Sequence, residues 1–186
     1  TTEIYTLSLH DALPISGVSV LDLCCGVAGP GRFLTREFGC DYVGVDSSES
    51  AVALARELAG DLPCRFVTGK IPPLPPGAYD VILLLETILA FCDKGALLKE
   101  VSRVLTTGGR FACTLEEGVP LTDAERARMP GADTVWLTPL DEMHTLLARA
   151  GLVVRWEEDW SESHHAVAQS LTNAYAADET RIAAVA

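Results

Sequence analysis

Two aspartates stand at positions where an α/β sheet brings side chains to a ligand. Asp22 lies inside a short apolar run that is typical of a buried parallel strand, and Asp46 closes the next such run. Asp46 follows Gly26 by twenty residues, the offset at which an acidic side chain meets ribose hydroxyls in nucleotide-binding α/β folds. A strand-end aspartate can instead cap the next helix, but Ser47 and Ser48 are available for that. We therefore favour a ligand role for Asp46.

Small residues fill the turn between the first strand and the next helix. Residues 26–31, Gly-Val-Ala-Gly-Pro-Gly, echo the dinucleotide fingerprint imperfectly, because Ala28 replaces its second glycine. Pro30 suits the first helical position, yet it removes a donor that would hold a pyrophosphate. Asp22 is placed to meet a cationic ligand. The turn thus favours a nucleotide-like ligand other than NAD, with an NAD-dependent reductase and a non-catalytic nucleotide-binding module as alternatives.

Strand-like and helix-like segments alternate through the rest of the chain. Strands are predicted at 18–23, 42–46, 64–67, 79–86, 110–115 and 152–156. The helices between them are expected to end at Gly39, Gly60, Gly108-Gly109 and Gly151, the second burying Leu58. A capping-box-like start is expected at Thr138 for the helix before the last strand, and a further helix from Ser163. This alternation predicts an α/β fold with one mostly parallel sheet.

The chain resembles the class I S-adenosyl-L-methionine (SAM)-dependent methyltransferases. Their first motif has an acidic residue followed by alternating glycines, which Asp22 and Gly26 match while Cys24 and Ala28 replace the flanking glycines. Residues 79–86 resemble the fourth motif, and the order Leu-x-Glu-Val-x-Arg-Val-Leu-x-x-Gly-Gly-Arg-Phe up to Phe111 resembles the segment after it. The resemblance covers residues 18–160, and the first motif is most similar to small-molecule methyltransferases of the glycine/sarcosine and type-11 kind.

The resemblance implies a Rossmann-like sheet and methyl transfer from SAM to a small molecule by in-line displacement. It assigns Asp46 to the ribose and the segment after the third strand to the adenine, where Lys70 departs from the family pattern. The implied cofactor-binding residues are Asp22, Cys24, Gly26, Asp46, Ser47, Gly69, Lys70, Ile71 and Leu85. On the substrate side the candidates are Glu86, Glu116 and His144. None of these three stands in a motif that specifies a base, so no catalytic residue is assigned.

Composition narrows the range of partners. Acidic residues outnumber basic ones by 26 to 14, for a formal net charge of −12, which argues against nucleic acid and suits a cationic or neutral small molecule. No apolar run approaches the ~20 residues that span a bilayer. The six cysteines lack metal-ligand spacing, so we expect no metal site and predict reduced thiols in a cytoplasmic protein. Oligomeric state is not predicted.

The two ends of the sequence need separate treatment. Residues 1–15 resemble the in-frame translation of a common sequencing adapter, so residues 1–16 are interpreted as a non-native leader that adds nothing to the fold. Residues 17–186 are interpreted as one methyltransferase domain, incomplete at both ends. The family's last, antiparallel strand should insert between 110–115 and 152–156. Without it, those two strands are expected to have unpaired edges, and the chain to be poorly soluble with little turnover.

Overall fold

A single parallel sheet organises the chain. The computed structural model describes residues 2–5 and 17–182, with side chains from 17 to 176. Seven described strands lie in the order β4-β3-β2-β5-β6-β1-β7, and all of their pairings are parallel. The strands are β1 (Thr2–Tyr5), β2 (Ser19–Leu23), β3 (Asp41–Asp46), β4 (Cys64–Thr68), β5 (Tyr79–Leu84), β6 (Leu105–Cys113) and β7 (Leu152–Trp156).

Helices cover both faces of this sheet, as the near-continuous apolar strands require. In β5, Val81 and Leu83 pack in one apolar layer, whereas Ile82 and Leu84 pack in the other. The helices are α1 (Gly29–Phe38), α2 (Glu49–Ala59), α3 (Lys94–Val104), α4 (Asp123–Arg126), α5 (Leu140–Arg149) and α6 (Ser161–Ile182). The first layer includes side chains of α1 and α2, and the second includes side chains of α3 and α5. The predicted α/β class and the order of its elements are confirmed.

Three local expectations are wrong. The helix expected to run to Gly108-Gly109 ends at Val104, because Leu105 adopts extended backbone and already pairs with Tyr79 in the sheet. Leu58 is 44% exposed, so α2 buries Val52, Ala55 and Ala59 but not this leucine. Helix α5 has Pro139 at its N-cap with no side-chain cap, and the predicted capping box does not form there.

Residues 119–136, hereafter the insertion, connect β6 to the segment before α5. They contain α4 and a 3₁₀ turn at Ala132–Thr134. Helix α4 is fixed by a capping box in which Thr122 accepts a hydrogen bond from the Glu125 amide and the Glu125 carboxylate accepts one from the Thr122 amide. The insertion is therefore ordered by its own local bonds.

Strand β1 occupies the position expected to be open. It pairs with β6 at Glu3 and Ile4, and with β7 along its whole length. The expectation that the leader adds nothing to the fold is therefore wrong for Thr2–Tyr5, as is the expectation of unpaired edges on β6 and β7 where β1 pairs with them. The interpretation of residues 1–16 as non-native stays a prediction, and 6–16 lie outside the described residues.

The chain divides into two compact units. Residues 1–156 carry the sheet, and residues 157–186 carry α6. Helix α6 begins at Ser161, two residues before the predicted start, where the Ser161 amide donates to the Asp159 carboxylate at 2.8 Å. Within the described residues, no helix combines the length and apolarity that crossing a membrane requires.

Two glycines make room for a buried tyrosine between α1 and the sheet. Tyr42 is fully buried, and a Cβ at Gly31 would overlap its ring. A Cβ at Gly44 would lie 2.9 Å from its hydroxyl oxygen and 2.8 Å from the Cys25 sulfur. The close approach of α1 to β3 therefore depends on the absence of a side chain at Gly31.

We predict that Gly31→Ala lowers the free energy of unfolding by more than about 2 kcal/mol, since the added methyl has to displace a packed aromatic ring. The matched control is Gly29→Ala, two residues earlier, where a Cβ meets nothing within 4 Å. That variant is expected to be neutral or stabilising by up to about 1 kcal/mol. Urea denaturation measures both, and an equal effect of the two substitutions would contradict the packing argument.

Candidate functional site

The carboxyl ends of β2, β3, β4 and β5 meet at one edge of the sheet. The connections that leave these ends are the turn at 24–28, the segment 46–48, the segment 69–71 and the segment 85–87. In open α/β sheets ligands bind in the crevice outside this edge. All but three of the predicted site residues lie in these connections; Asp22 lies within β2, and Glu116 and His144 lie farther along the chain.

The turn at 24–28 repeats one unusual backbone conformation. Cys24, Gly26 and Ala28 have φ values of 57°, 53° and 56°. These are the positions at which the family motif has glycine, the residue that adopts this left-handed conformation most easily. Hydrogen bonds hold the shape, with the Cys25 amide donating to the Val45 carbonyl at 3.0 Å and the Ala28 amide to the Cys25 carbonyl at 2.7 Å.

Asp46 joins three of the four connections. Its Oδ2 accepts a hydrogen bond from the Gly26 amide at 2.8 Å, and its Oδ1 accepts one from the Ser48 amide at 2.8 Å. Its carbonyl accepts from the Gly69 amide at 2.9 Å. Ser48 caps α2 through its own hydroxyl, so Asp46 does not take the N-cap position. Each carboxylate oxygen has further acceptor capacity for a ligand hydroxyl.

Asp22 lies inside the domain. Its side chain is 4% exposed, and its Oδ2 accepts a hydrogen bond from the Tyr42 hydroxyl at 2.6 Å. Burial raises the pKa of Asp22 to about 7; the Tyr42 hydrogen bond lowers it in part, and the charge of Asp46 adds to the rise. The structure thus gives Asp22 a protein partner beneath the turn, and a direct contact with a cationic ligand stays a prediction.

The remaining cofactor-side candidates differ in exposure. Burial raises the pKa of the Cys24 thiol above its ordinary value, although a hydrogen bond with Thr87 opposes the rise. Ile71 is half-buried against the core, Leu85 is half-buried, and Gly69 is half-buried beside Asp46, whereas Ser47 and Lys70 are exposed. The structure therefore places the Gly69 backbone beside Asp46 and Ile71 against the core, with Lys70 exposed to solvent.

The substrate-side candidates differ in exposure and in their neighbours. Glu86 is exposed two residues after the end of β5, with a left-handed φ of 57°, and its amide donates to the Thr114 hydroxyl at 2.6 Å. Strained backbone of this kind concentrates at functional sites. Glu116 is half-buried near Cys113 and Lys94. The pKa of the Cys113 thiol is raised to about 12, mainly by the burial of Cys113 and further by the charge of Glu116. His144 is exposed on α5.

Sequence reasoning missed three side chains that shape this edge. Tyr42 holds Asp22, Thr114 holds the Glu86 amide, and Lys94 is buried beside Glu116. Gly44 was an available signal for a large neighbouring side chain, since glycine inside a strand marks close approach. Nothing in the sequence around Lys94 indicates burial. Among the described residues there is no group of three or more His, Cys, Asp or Glu side chains arranged to hold a metal ion.

Comparison with known proteins identifies the domain. The sequence model of the methyltransferase domain family matches residues 20–109, which contain the turn, Asp46, the segment 69–71 and Glu86. The chain contains a class I SAM-dependent methyltransferase domain. Its structural neighbours share the fold, among them phosphoethanolamine N-methyltransferase 2 of Haemonchus contortus, with a TM-score of 0.80 at 18% identity over 94% of this chain and 43% of that one.

Curated relatives of this methyltransferase domain act on different molecules. The chain is 31% identical over 166 residues to 27-O-demethylrifamycin SV methyltransferase of Amycolatopsis mediterranei, covering 83% of this chain and 61% of that protein. It is 34% identical over 102 residues to 2-methyl-6-phytyl-1,4-hydroquinone methyltransferase of a Synechocystis strain, covering 53% of this chain and 32% of that protein. The chain thus spans less than two-thirds of the length of either relative.

The buried carboxyl of the methyltransferase domain generates a prediction about pH. Because the folded protein holds the Asp22 proton more tightly than the unfolded chain, this group makes stability fall as the pH rises from about 4 through about 7. Asp22→Asn keeps an oxygen for the Tyr42 hydroxyl and does not ionise. As the pH rises from about 5 to about 8, we expect the free energy of unfolding of Asp22→Asn to increase relative to that of the wild type, by on the order of a few kcal/mol.

Urea denaturation across this pH range measures the effect. Asp61→Asn, which replaces an exposed carboxylate between α2 and β4, is the control and should retain the slope of the wild type. If the free energies of unfolding of Asp22→Asn and the wild type change in parallel with pH, the buried Asp22 proton is not the cause of the pH dependence.

Proposed function

We propose that this protein transfers the methyl group of S-adenosyl-L-methionine to a small-molecule acceptor. The observation that carries the proposal is the carboxylate of Asp46, fixed between the Gly26 and Ser48 amides at the ligand-binding edge of a methyltransferase domain. Its position supports recognition of the two ribose hydroxyls by the two carboxylate oxygens. The methyltransferase relatives, which modify several kinds of small molecule, support the reaction class.

The residues present fit SAM. A Cβ at Gly26 or at Gly69 would meet nothing within 4 Å, so the backbone beside Asp46 borders open space on both sides. We propose that the turn at 24–26 holds the methionine end, that Asp46 and Ser47 hold the ribose, and that Gly69, Lys70 and Ile71 hold the adenine with backbone and apolar contacts. Leu85 would form the wall between this site and the acceptor, and Asp22 would fix the turn from beneath.

The protein's main task in this reaction is alignment. Bound SAM supplies a methyl group activated by its sulfonium, so the chain's residues need to bring the acceptor atom in line with it. Such positioning contributes up to about 7–11 kcal/mol to the barrier reduction. Glu86 and Glu116 are the proposed acceptor-side carboxylates, and either would remove a proton only from an acceptor that has to lose one. No residue is assigned as a base, and His144 is the weakest of the three candidates because it is exposed on α5.

Composition supports two further statements about the setting. The net charge of −12 favours a cationic or neutral acceptor over nucleic acid. All six cysteines are free thiols, which supports the reducing environment of the cytoplasm.

We predict that Asp46→Asn weakens SAM binding by roughly ten- to a hundredfold, because a hydrogen bond to a charged group contributes about 1.5–3 kcal/mol. The asparagine keeps one oxygen for the Gly26 amide, so the turn is disturbed less than by alanine. Titration calorimetry measures the dissociation constant, with the exposed Asp61→Asn as control. An unchanged SAM dissociation constant in Asp46→Asn would contradict the proposed role of Asp46 in SAM binding.

Turnover is tested with methyl-labelled SAM against separate sets of amines, carboxylates and phenols. We expect label to move to at least one set, with formation of S-adenosylhomocysteine in equal amount. Tight binding of SAM without transfer to any of the three sets would favour the non-catalytic module, and binding of NAD in preference to SAM would overturn the reaction class.

A further inference from the structure

Lys94 is a buried lysine next to the acceptor side of the proposed site. It is the first residue of α3, and its side chain is only 4% exposed. Lysine is almost never this buried unless its ammonium group is paired, because loss of hydration is costly. Neither the family motifs nor the proposed reaction accounts for this residue.

Two backbone carbonyl groups accept hydrogen bonds from the Lys94 ammonium. Nζ donates to the Phe91 carbonyl at 3.0 Å and to the Trp136 carbonyl at 2.5 Å. Burial lowers the pKa of Lys94, while electrostatic interactions with Cys92, Glu116 and Glu142 act in the opposite direction. Carbonyl groups and carboxylates thus replace water around the ammonium.

The two carbonyls belong to separate parts of the acceptor side. Phe91 caps the 3₁₀ turn at Ile88–Ala90, which begins two residues after Glu86; residues 86–91 are hereafter the rim of the crevice. Trp136 is the last residue of the insertion. The Trp136 amide also donates to the Leu89 carbonyl at 2.8 Å. Lys94 therefore strengthens a junction between the rim of the crevice and the insertion.

Arg126 connects α4 to the last residues of the insertion. The Arg126 guanidinium donates to the Ala132 carbonyl at 2.7 Å and the Val135 carbonyl at 3.1 Å. It also lies 4.0 Å from the centre of the Trp136 ring, a cation–π contact. Release of the Trp136 carbonyl would therefore affect the whole segment from α4 onward.

We propose that Lys94 is a positioning residue that holds the insertion against the rim next to Glu86 and so shapes the acceptor side of the site. The acceptor part of this statement rests on the proposed methyl transfer. Lys94 touches neither reacting group: it acts through the Trp136 and Phe91 carbonyls. Loss of its ammonium leaves two carbonyls without their donor, and the insertion separates from the rim more often.

The test compares Lys94→Met with Lys99→Met, an exposed lysine on the same helix. Both substitutions remove one charge and keep a long side chain. Limited trypsin digestion, followed by mass spectrometry, measures cleavage after Arg126 and Arg128 in the insertion. We expect Lys94→Met to be cut there at least about tenfold faster than the wild type, and Lys99→Met to match the wild type. Lys94→Gln, which keeps an N–H donor, should fall between them and serves if Lys94→Met does not fold.

Binding and kinetics separate a positioning role from a general loss of structure. The SAM dissociation constant of Lys94→Met, measured by calorimetry, should stay within about twofold of the wild-type value. The carbonyls to which Lys94 donates belong to Phe91 and Trp136, neither of which is proposed to bind SAM. With any acceptor that the wild type methylates, KM for that acceptor should rise by about tenfold while KM for SAM is unchanged.

The outcomes distinguish this proposal from the proposed function. Wild-type cleavage rates in both Lys94 variants would overturn the proposal even if methyl transfer is confirmed. Faster cleavage in a protein that transfers no methyl group would establish the junction and reject its acceptor role together with the proposed function. An equal loss of affinity for SAM and acceptor would mean that Lys94 supports the domain as a whole.

Discussion

The hydrogen bond from the Gly26 amide to Asp46 is the contact on which the site depends. It joins the turn after β2 to the end of β3, and the Asp46 carbonyl adds the end of β4 through the Gly69 amide. A carboxylate that accepts from backbone N–H groups is held more strongly than a neutral acceptor. One residue, through its side chain and its carbonyl, therefore joins three connections, and the strands beneath them supply the rigid support.

Much of the fold followed from the sequence because the strands and helices have strong patterns. The strands from β2 to β7 were predicted, since continuous apolar runs with both faces covered leave few alternatives. The boundary at Val104 was missed because Leu105 continues the helical spacing, while the sheet takes it as a strand residue through pairing with Tyr79. Leu58 fits the apolar face of α2 by spacing, yet its side chain is exposed in the structure. Periodicity describes one element, whereas pairing and coverage depend on its neighbours.

The cofactor side could be predicted further than the acceptor side. Asp46 and Gly26 have a fixed offset within one strand–helix–strand unit, so the sequence alone brings them together. Glu86, Glu116 and His144 lie in three different elements or connections, and in the structure Glu86 is exposed whereas Glu116 is half-buried near Lys94. The burial of Lys94 depends on a carbonyl 42 residues away at Trp136. No local pattern contains that information.

The left-handed turn has a consequence for how such sites are recognised. Cys24 and Ala28 adopt a conformation that costs a non-glycine residue about 1–2 kcal/mol, and bonds such as that from the Cys25 amide to Val45 hold the turn nonetheless. Residues 24, 26 and 28 thus show that a motif written as glycines stands for three left-handed backbone angles, which cysteine and alanine also adopt here. A search that requires the letters would overlook a turn that satisfies the geometry.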